Sequence, residues 1–296
     1  MPGISRRQMV GGLLSWQLVA RPRPAAADQA RFRLLEKALW VWKDRISAPD
    51  DLEAFARANG IRTLFLYTTP AAAEALLSGD NTARDHLLAL KGAVREIYAM
   101  AGEPDWAFGP QKIPEHVDLL LRLQGSTRGL FDGLHLDVEP NAMPEWRDPA
   151  GKQRLIEGTL QFYDLVRRQR PEVRIDAAVN PVFSQLRTVG QDNFLVEIGR
   201  RVHSASIMAY RNRVQSIIDW ATPAIVQFAT THKGWRIGVE VNRNDSEPGT
   251  SWSRVPADTF LSAMVELDGR IRQQAFAGNY TGLAFHSFDG MKALLA

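Results

Sequence analysis

Phe131-Asp132-Gly133-Leu134-His135-Leu136-Asp137-Val138-Glu139-Pro140 opens apolar and closes acidic. Side chains of a strand alternate between its two faces. Read as a strand over 133–138, the stretch sends Leu134, Leu136 and Val138 to a face suited to packing on helices. His135, Asp137 and Glu139 then share the opposite face and climb toward its end. Helix-period segments flank it at 114–123 and 152–170, so the strand sits in a repeating strand–helix unit.

The same unit recurs along the chain. Short runs rich in Val, Ile, Leu or aromatic residues fall at 38–42, 62–67, 94–101, 133–138, 173–179, 204–210, 235–241 and 281–286. Helix-period segments fall between them at 49–59, 82–93, 114–123, 152–170, 193–202 and 257–275. Pro49-Asp50-Asp51 and Pro256-Ala257-Asp258 are helix starts, and Asn59-Gly60 is a stop. Eight β/α repeats in about 250 residues predict an α/β chain folded as one TIM (β/α)8 barrel. An open doubly wound sheet would carry a Gly-rich loop after its first strand. Here that strand runs into Trp40-Val41-Trp42-Lys43-Asp44, without glycine.

Composition agrees with a folded globular chain. Of 296 residues, 45% are hydrophobic and 23% charged, and there is no cysteine. Disulfide scaffolds, Cys-based zinc sites and thiol nucleophiles are thereby excluded. The formal charge of +3 is concentrated at the start. Residues 1–27 hold Arg6, Arg7, Arg21 and Arg23 and no acid, and the remainder has 32 basic against 33 acidic residues. No electrostatic case for nucleic acid survives that division. Ser5-Arg6-Arg7, a mildly apolar run over 9–20 and Ala25-Ala26-Ala27 resemble a bacterial twin-arginine signal with a small-residue cleavage site. The apolar run is too short for a bilayer span of about 20 residues. The expectation is a signal peptide over 1–27, a barrel over 28–296, and a periplasmic or secreted protein with no membrane insertion after signal removal.

Active sites of such barrels sit at the C-terminal ends of the strands. Three ionisable groups on one interior face are costly unless they are paired. Two neighbouring carboxylates also push one pKa upward, which is what a general acid near neutral pH requires. The alternative is a buried polar network that braces the barrel interior.

Asp132-Gly133-x-His135-x-Asp137-x-Glu139 resembles the Asp-Gly-x-Asp-x-Asp-x-Glu signature on strand four of chitinase-type (family 18) glycoside hydrolases. Ala99-Met100-Ala101-Gly102 lies where that family has Ser-x-Gly-Gly. Met208-Ala209-Tyr210 matches its Met-x-Tyr, and residues 282–289 resemble its last strand. The resemblance implies substrate-assisted cleavage of an N-acetylamino-sugar polymer, one of the exceptions to the two-carboxylate scheme. It makes Glu139 the acid/base, Asp137 the carboxylate that orients the substrate's N-acetyl group, and Tyr210 that group's hydrogen-bond partner. Three residues depart from the pattern. His135 replaces an aspartate, Arg211 follows Tyr210 where an aspartate is usual, and His286 stands where a tryptophan floors the sugar site. These departures keep open a glycan-binding barrel without turnover.

Strand seven supplies a rival. Glu240 shares a strand face with Arg236, Gly238 and Asn242. If that face is interior, Glu139 and Glu240 resemble the carboxylate pair of retaining barrel glycosidases, with Glu240 as covalent nucleophile. The substrate-binding set expected at the strand ends is His135, Trp42, Trp106, Asn180, Met208, Glu240 and His286. Trp146, Trp252, Asp176 and the loop 242–252 are further candidates. Six scattered histidines without a metal-ligand spacing indicate no metal, and no cofactor is expected. The expected partner is a polysaccharide or oligosaccharide bound by a monomer.

Overall fold

The computed structural model describes residues 25–47, 51–109, 112–127 and 129–296. The expected signal peptide up to residue 24 lies outside the described residues. Its expected cleavage point falls within the first described helix, α1 (Ala25–Leu34).

Eight parallel strands close into a barrel in chain order. They are β1 (Lys37–Val41), β2 (Thr63–Tyr67), β3 (Glu96–Ala101), β4 (Gly133–Leu136), β5 (Ile175–Val179), β6 (Ser204–Met208), β7 (Gly234–Glu240) and β8 (Tyr280–His286). Each matches a strand expected from the sequence within a few residues. Closure is made by β1 against β8, where Trp40 aligns with His286. The predicted TIM (β/α)8 barrel, a single domain, is the observed fold.

The helices between strands are α2 (Leu52–Asn59), α3 (Pro70–Leu77), α4 (Asn81–Ala93), α5 (Glu115–Ser126), α6 (Pro149–Gln169), α7 (Phe194–Arg201), α8 (Val214–Ala229) and α9 (Ala257–Arg272). A last helix, α10 (Phe288–Leu295), follows β8. Their ends carry the expected caps. Asp148 accepts the Gly151 amide at the start of α6, and Asn193 accepts those of Leu195 and Val196 at the start of α7. Gly60 ends α2 at φ 63°, in the left-handed region where glycine carries no Cβ penalty.

Strand alternation divides the apolar residues into two cores. Leu39, Val41, Leu64, Leu66, Leu134, Leu136, Ile175 and their counterparts face outward and pack on the helices. A smaller set fills the barrel itself: Ala38, Trp40, Phe65, Tyr98, Met100, Ala178, Met208 and Ala284. Trp42, Tyr67 and Tyr210 lie over it, partly buried. Trp40 is the largest member of that plug, and small residues make room for it. A Cβ on Gly238 would sit 3.4 Å from its indole. The plug closes the bottom and middle of the barrel, so chemistry is confined to the layer above it.

Candidate active site

The lowest polar layer is fully enclosed. His135 on β4 and Asp176 on β5 are both 0% exposed. His135 Nδ1 lies 2.7 Å from Asp176 Oδ1, and the Trp40 indole N–H donates to His135 Nε2 at 2.8 Å. An indole nitrogen only donates, so Nε2 must be unprotonated and the ring proton must sit on Nδ1, facing Asp176. His135 is therefore neutral. Burial pushes its pKa down, against the pull of Asp176. Phe65 stacks on the ring with centroids 3.8 Å apart. Arg236 donates to Asp176 Oδ2 at 2.9 Å, Ser206 to Oδ1 at 3.2 Å, and Ser204 to Oδ2. Burial works to raise the Asp176 pKa, but the His135 hydrogen bond and the Arg236 charge outweigh it and hold the group ionised. His135 cannot contact substrate as expected, and Asp176 does not face the cleft. Both belong to the bracing network.

Two residues after His135, just past the end of β4, the chemistry changes. The Asp137 amide bonds the Ala101 carbonyl at 3.0 Å. Gly102, just past β3, backs directly onto this residue, since a Cβ there would lie 2.1 Å from the Asp137 carbonyl oxygen. Both ring nitrogens of His135 are already occupied, so it gives Asp137 no hydrogen bond. Asp137 Oδ1 is buried and has no hydrogen-bond partner among the described residues. Burial, and then the charge of Glu139, lift its pKa to about 7, while His286 acts the other way. Burial also raises Glu139, opposed by His286 and by a hydrogen bond from Asn141. Two adjacent carboxyls, each disfavoured as an anion, are suited to hold one proton between them near neutral pH.

Tyr210 faces this pair. Its hydroxyl stays protonated far above the usual range, held there by burial and by the charges of Glu240, Asp137 and Glu139. Its ring stacks on His286, centroids 5.8 Å apart and planes at 27°. His286 repeats the arrangement seen one layer below. Trp42 Nε1 donates to its Nε2 at 2.6 Å, and its Nδ1 lies 2.9 Å from Glu240 Oε2. The same donor argument puts a ring proton of His286 on Nδ1, facing Glu240. The other Glu240 oxygen accepts the Asn242 amide at 2.7 Å. Glu240 is thus interior, as the strand-seven reading required.

Glu139, Asn180, Met208, Tyr210 and Glu240 line one cleft of about 210 Å³. Trp42 and His286 form a hydrogen-bonded unit next to it, joined through Glu240 and Tyr210. Trp106 is placed elsewhere. It is 8% exposed, stacks on Phe162 of α6 at 5.4 Å, and is part of the layer between helices and strands. The turn that follows β3 rotates it away from the barrel mouth, which corrects its expected role in binding. Trp252 also packs inward, 4% exposed against Phe260. Trp146 covers Phe183. Of the loop after β7, Glu247 reaches the cleft, whereas Asp245 is tied up by Arg243 and Arg254 at the surface.

Arg211, Trp220, Asn244 and Thr250 complete the cleft lining. Trp220 comes from α8, a helix with Pro223 in its interior. No local signal separates such a tryptophan from a core residue, because its role depends on Arg211 packing over it.

No family model and no curated protein matches this chain. Solved structures do. A GH18 chitinase from Pseudoalteromonas aurantia aligns with a TM-score of 0.54 at 15% identity, over 87% of this chain and 98% of that one. Active domain 2 of a thermostable chitinase from Pyrococcus furiosus, a catalytic-site mutant complexed with chito-oligosaccharides, aligns at 0.54 and 11% identity, over 86% and 83% of the two chains. An endo-β-N-acetylglucosaminidase from Cordyceps militaris aligns at 0.53 and 12% identity, over 92% and 88%. The chain therefore has the (β/α)8 fold of chitinase-type glycoside hydrolases.

Proposed function

We propose that the protein is an exported glycoside hydrolase that cleaves an N-acetylamino-sugar-containing polysaccharide by substrate-assisted acid/base catalysis. The observation that carries this reading is Asp137, with a buried oxygen unpartnered among the described residues, coupled to Glu139, which lines one cleft together with Tyr210. Export rests on the arginine pair and small-residue site of the N-terminal sequence.

In this mechanism the substrate's amide N–H meets Asp137 and stabilises its anion. The shared proton then resides on Glu139. Glu139 gives it to the glycosidic oxygen as the C1–O bond breaks, and the N-acetyl carbonyl oxygen attacks C1. Tyr210 donates to that carbonyl oxygen and orients it. Water next attacks C1, losing its proton to the Glu139 carboxylate and reopening the cyclic intermediate. Positioned proton transfer of this kind contributes about 10²–10⁴-fold. Glu139→Gln should lower turnover of an N-acetylated glycan by that factor. Residual turnover within about tenfold of wild type, roughly 1.4 kcal/mol of barrier, removes Glu139 from the role. Glycan binding with no new reducing ends after long incubation would instead indicate a binding barrel.

A second reading is favoured by Glu240 lining the same cleft as Glu139. In a retaining route Glu240 would attack C1 and form a glycosyl ester. A 2-fluoro sugar that labels Glu240 supports that route. With substrate assistance the reagent leaves the protein unmodified.

A further inference from the structure

The residue after Tyr210 departs from the family pattern in charge as well as in shape. The Arg211 guanidinium lines the cleft that holds Glu139 and Glu240. It is held in place from several sides. Nη1 donates to the Tyr210 carbonyl at 2.7 Å, and the guanidinium carbon lies 4.6 Å from the centroid of the Trp220 ring. The backbone is pinned as well. Trp252 Nε1 donates to the Arg211 carbonyl at 2.9 Å, and the Asn212 amide bonds the Gly249 carbonyl at 3.1 Å.

What Arg211 lacks, among the described residues, is an anion. Arg243 and Arg254, on the neighbouring loop, both pair with Asp245. No ion pair joins Arg211 to a carboxylate among the described residues, although Glu139, Glu240 and Glu247 line the same cleft. Glu240 is already held by the Asn242 amide and His286, and Glu139 has its pKa raised by burial. A guanidinium carries five N–H donors in a planar fork that matches a carboxylate, and the single side-chain hydrogen bond of Arg211 among the described residues leaves most of them unengaged. A half-buried arginine fixed on an indole face has lost hydration and rotamer freedom in advance, so an arriving carboxylate meets a preorganised site. Glu240 and Glu247 line the same cleft and disfavour an anion beside them, which leaves the Arg211 side for that carboxylate.

We propose that Arg211, seated on Trp220, is a subsite for a carboxylate carried by the glycan, so that the cleft selects an acidic N-acetylamino-sugar polymer over a neutral one. This rests on the glycan reading above and deepens it. The carboxylate has two chemical sources: an acidic ether substituent on the N-acetylamino sugar itself, or a uronic acid in the adjoining position.

The test is affinity, measured by calorimetry on the turnover-blocked Glu139→Gln protein. Three oligosaccharides of equal length are compared: a neutral chito-oligosaccharide, an N-acetylmuramyl free-acid oligosaccharide, and an alternating N-acetylglucosamine–glucuronate oligosaccharide. One acidic ligand should bind at least tenfold tighter than the neutral one, and which of them does so locates the carboxylate. That preference should shrink as salt rises. It should collapse to within about twofold when Arg211→Gln is added, and return in part with Arg211→Lys, which keeps the charge and loses the fork. Equal affinities overturn the proposal. So does a preference that survives Arg211→Gln, including the case in which all three ligands weaken together because the arginine only supports the loop. Binding of the neutral ligand alone overturns this subsite and leaves the glycan reading standing. Failure of all three to bind overturns both.

Discussion

Asp137 should destabilise the folded protein at neutral and alkaline pH, and removing its charge should restore that stability. Its carboxyl is lifted from 3.8 to about 7 by burial and by Glu139. Between those values the unfolded chain has released the proton and the folded chain retains it. Stability therefore falls as pH rises across that window, by about 1.36 kcal/mol per pH unit. The loss attributable to Asp137 is about 1 kcal/mol at pH 4.5 and about 4 kcal/mol at pH 8. Asp137→Asn keeps the shape and cannot ionise. Oδ1 has no hydrogen-bond partner among the described residues, so the amide breaks no bond on that side. Urea unfolding of both proteins at pH 4.5 and pH 8 gives the stability difference at each pH. The variant-minus-wild-type difference should grow by about 3 kcal/mol in favour of Asp137→Asn on going to pH 8. Any pH-independent effect of the substitution cancels in that comparison. A difference that stays flat within about 1 kcal/mol would mean that the pair does not hold a proton at neutral pH, and the acid assigned to Glu139 would lose its physical basis.

Two further outcomes follow from the layers around the site. His135→Asp, which restores the residue type of the resembling family, puts a second carboxylate beside Asp176 and deprives Trp40 of its acceptor; equilibrium unfolding should show a loss of about 3–5 kcal/mol, and no loss would mean that the inner network is not tightly coupled. Trp106→Ala should cost about 3–5 kcal/mol by leaving a cavity against Phe162. Its affinity for glycan should stay at the wild-type level, and a selective loss of binding would return Trp106 to the cleft.

The eight strands and their order were legible in the chain because alternation is a local property. Every strand has one face against helices and one inside the barrel, and a period of two records that without knowledge of any partner. The placing of Asp137 and Glu139 on one interior face followed from the same count. Helices α3 and α8 are not among those the pattern names. The first is short and rich in alanine, and the second contains Pro223, which reads as a breaker until tertiary packing overrides it.

Partner choice was another matter. His135 sits two residues before Asp137 in sequence, yet its proton goes to Asp176 on the next strand, because barrel register sets which interior side chains share a layer. Trp42 and His286 are 244 residues apart and meet only because β1 and β8 close the barrel. Trp106 and Trp42 look alike as aromatic residues after strand ends, but the turn following β3 sends one to the helices while β1 sends the other to the mouth. Periodicity fixes a face; only closure of the barrel, which brings distant strands within hydrogen-bonding reach, decides what stands on the other side of it.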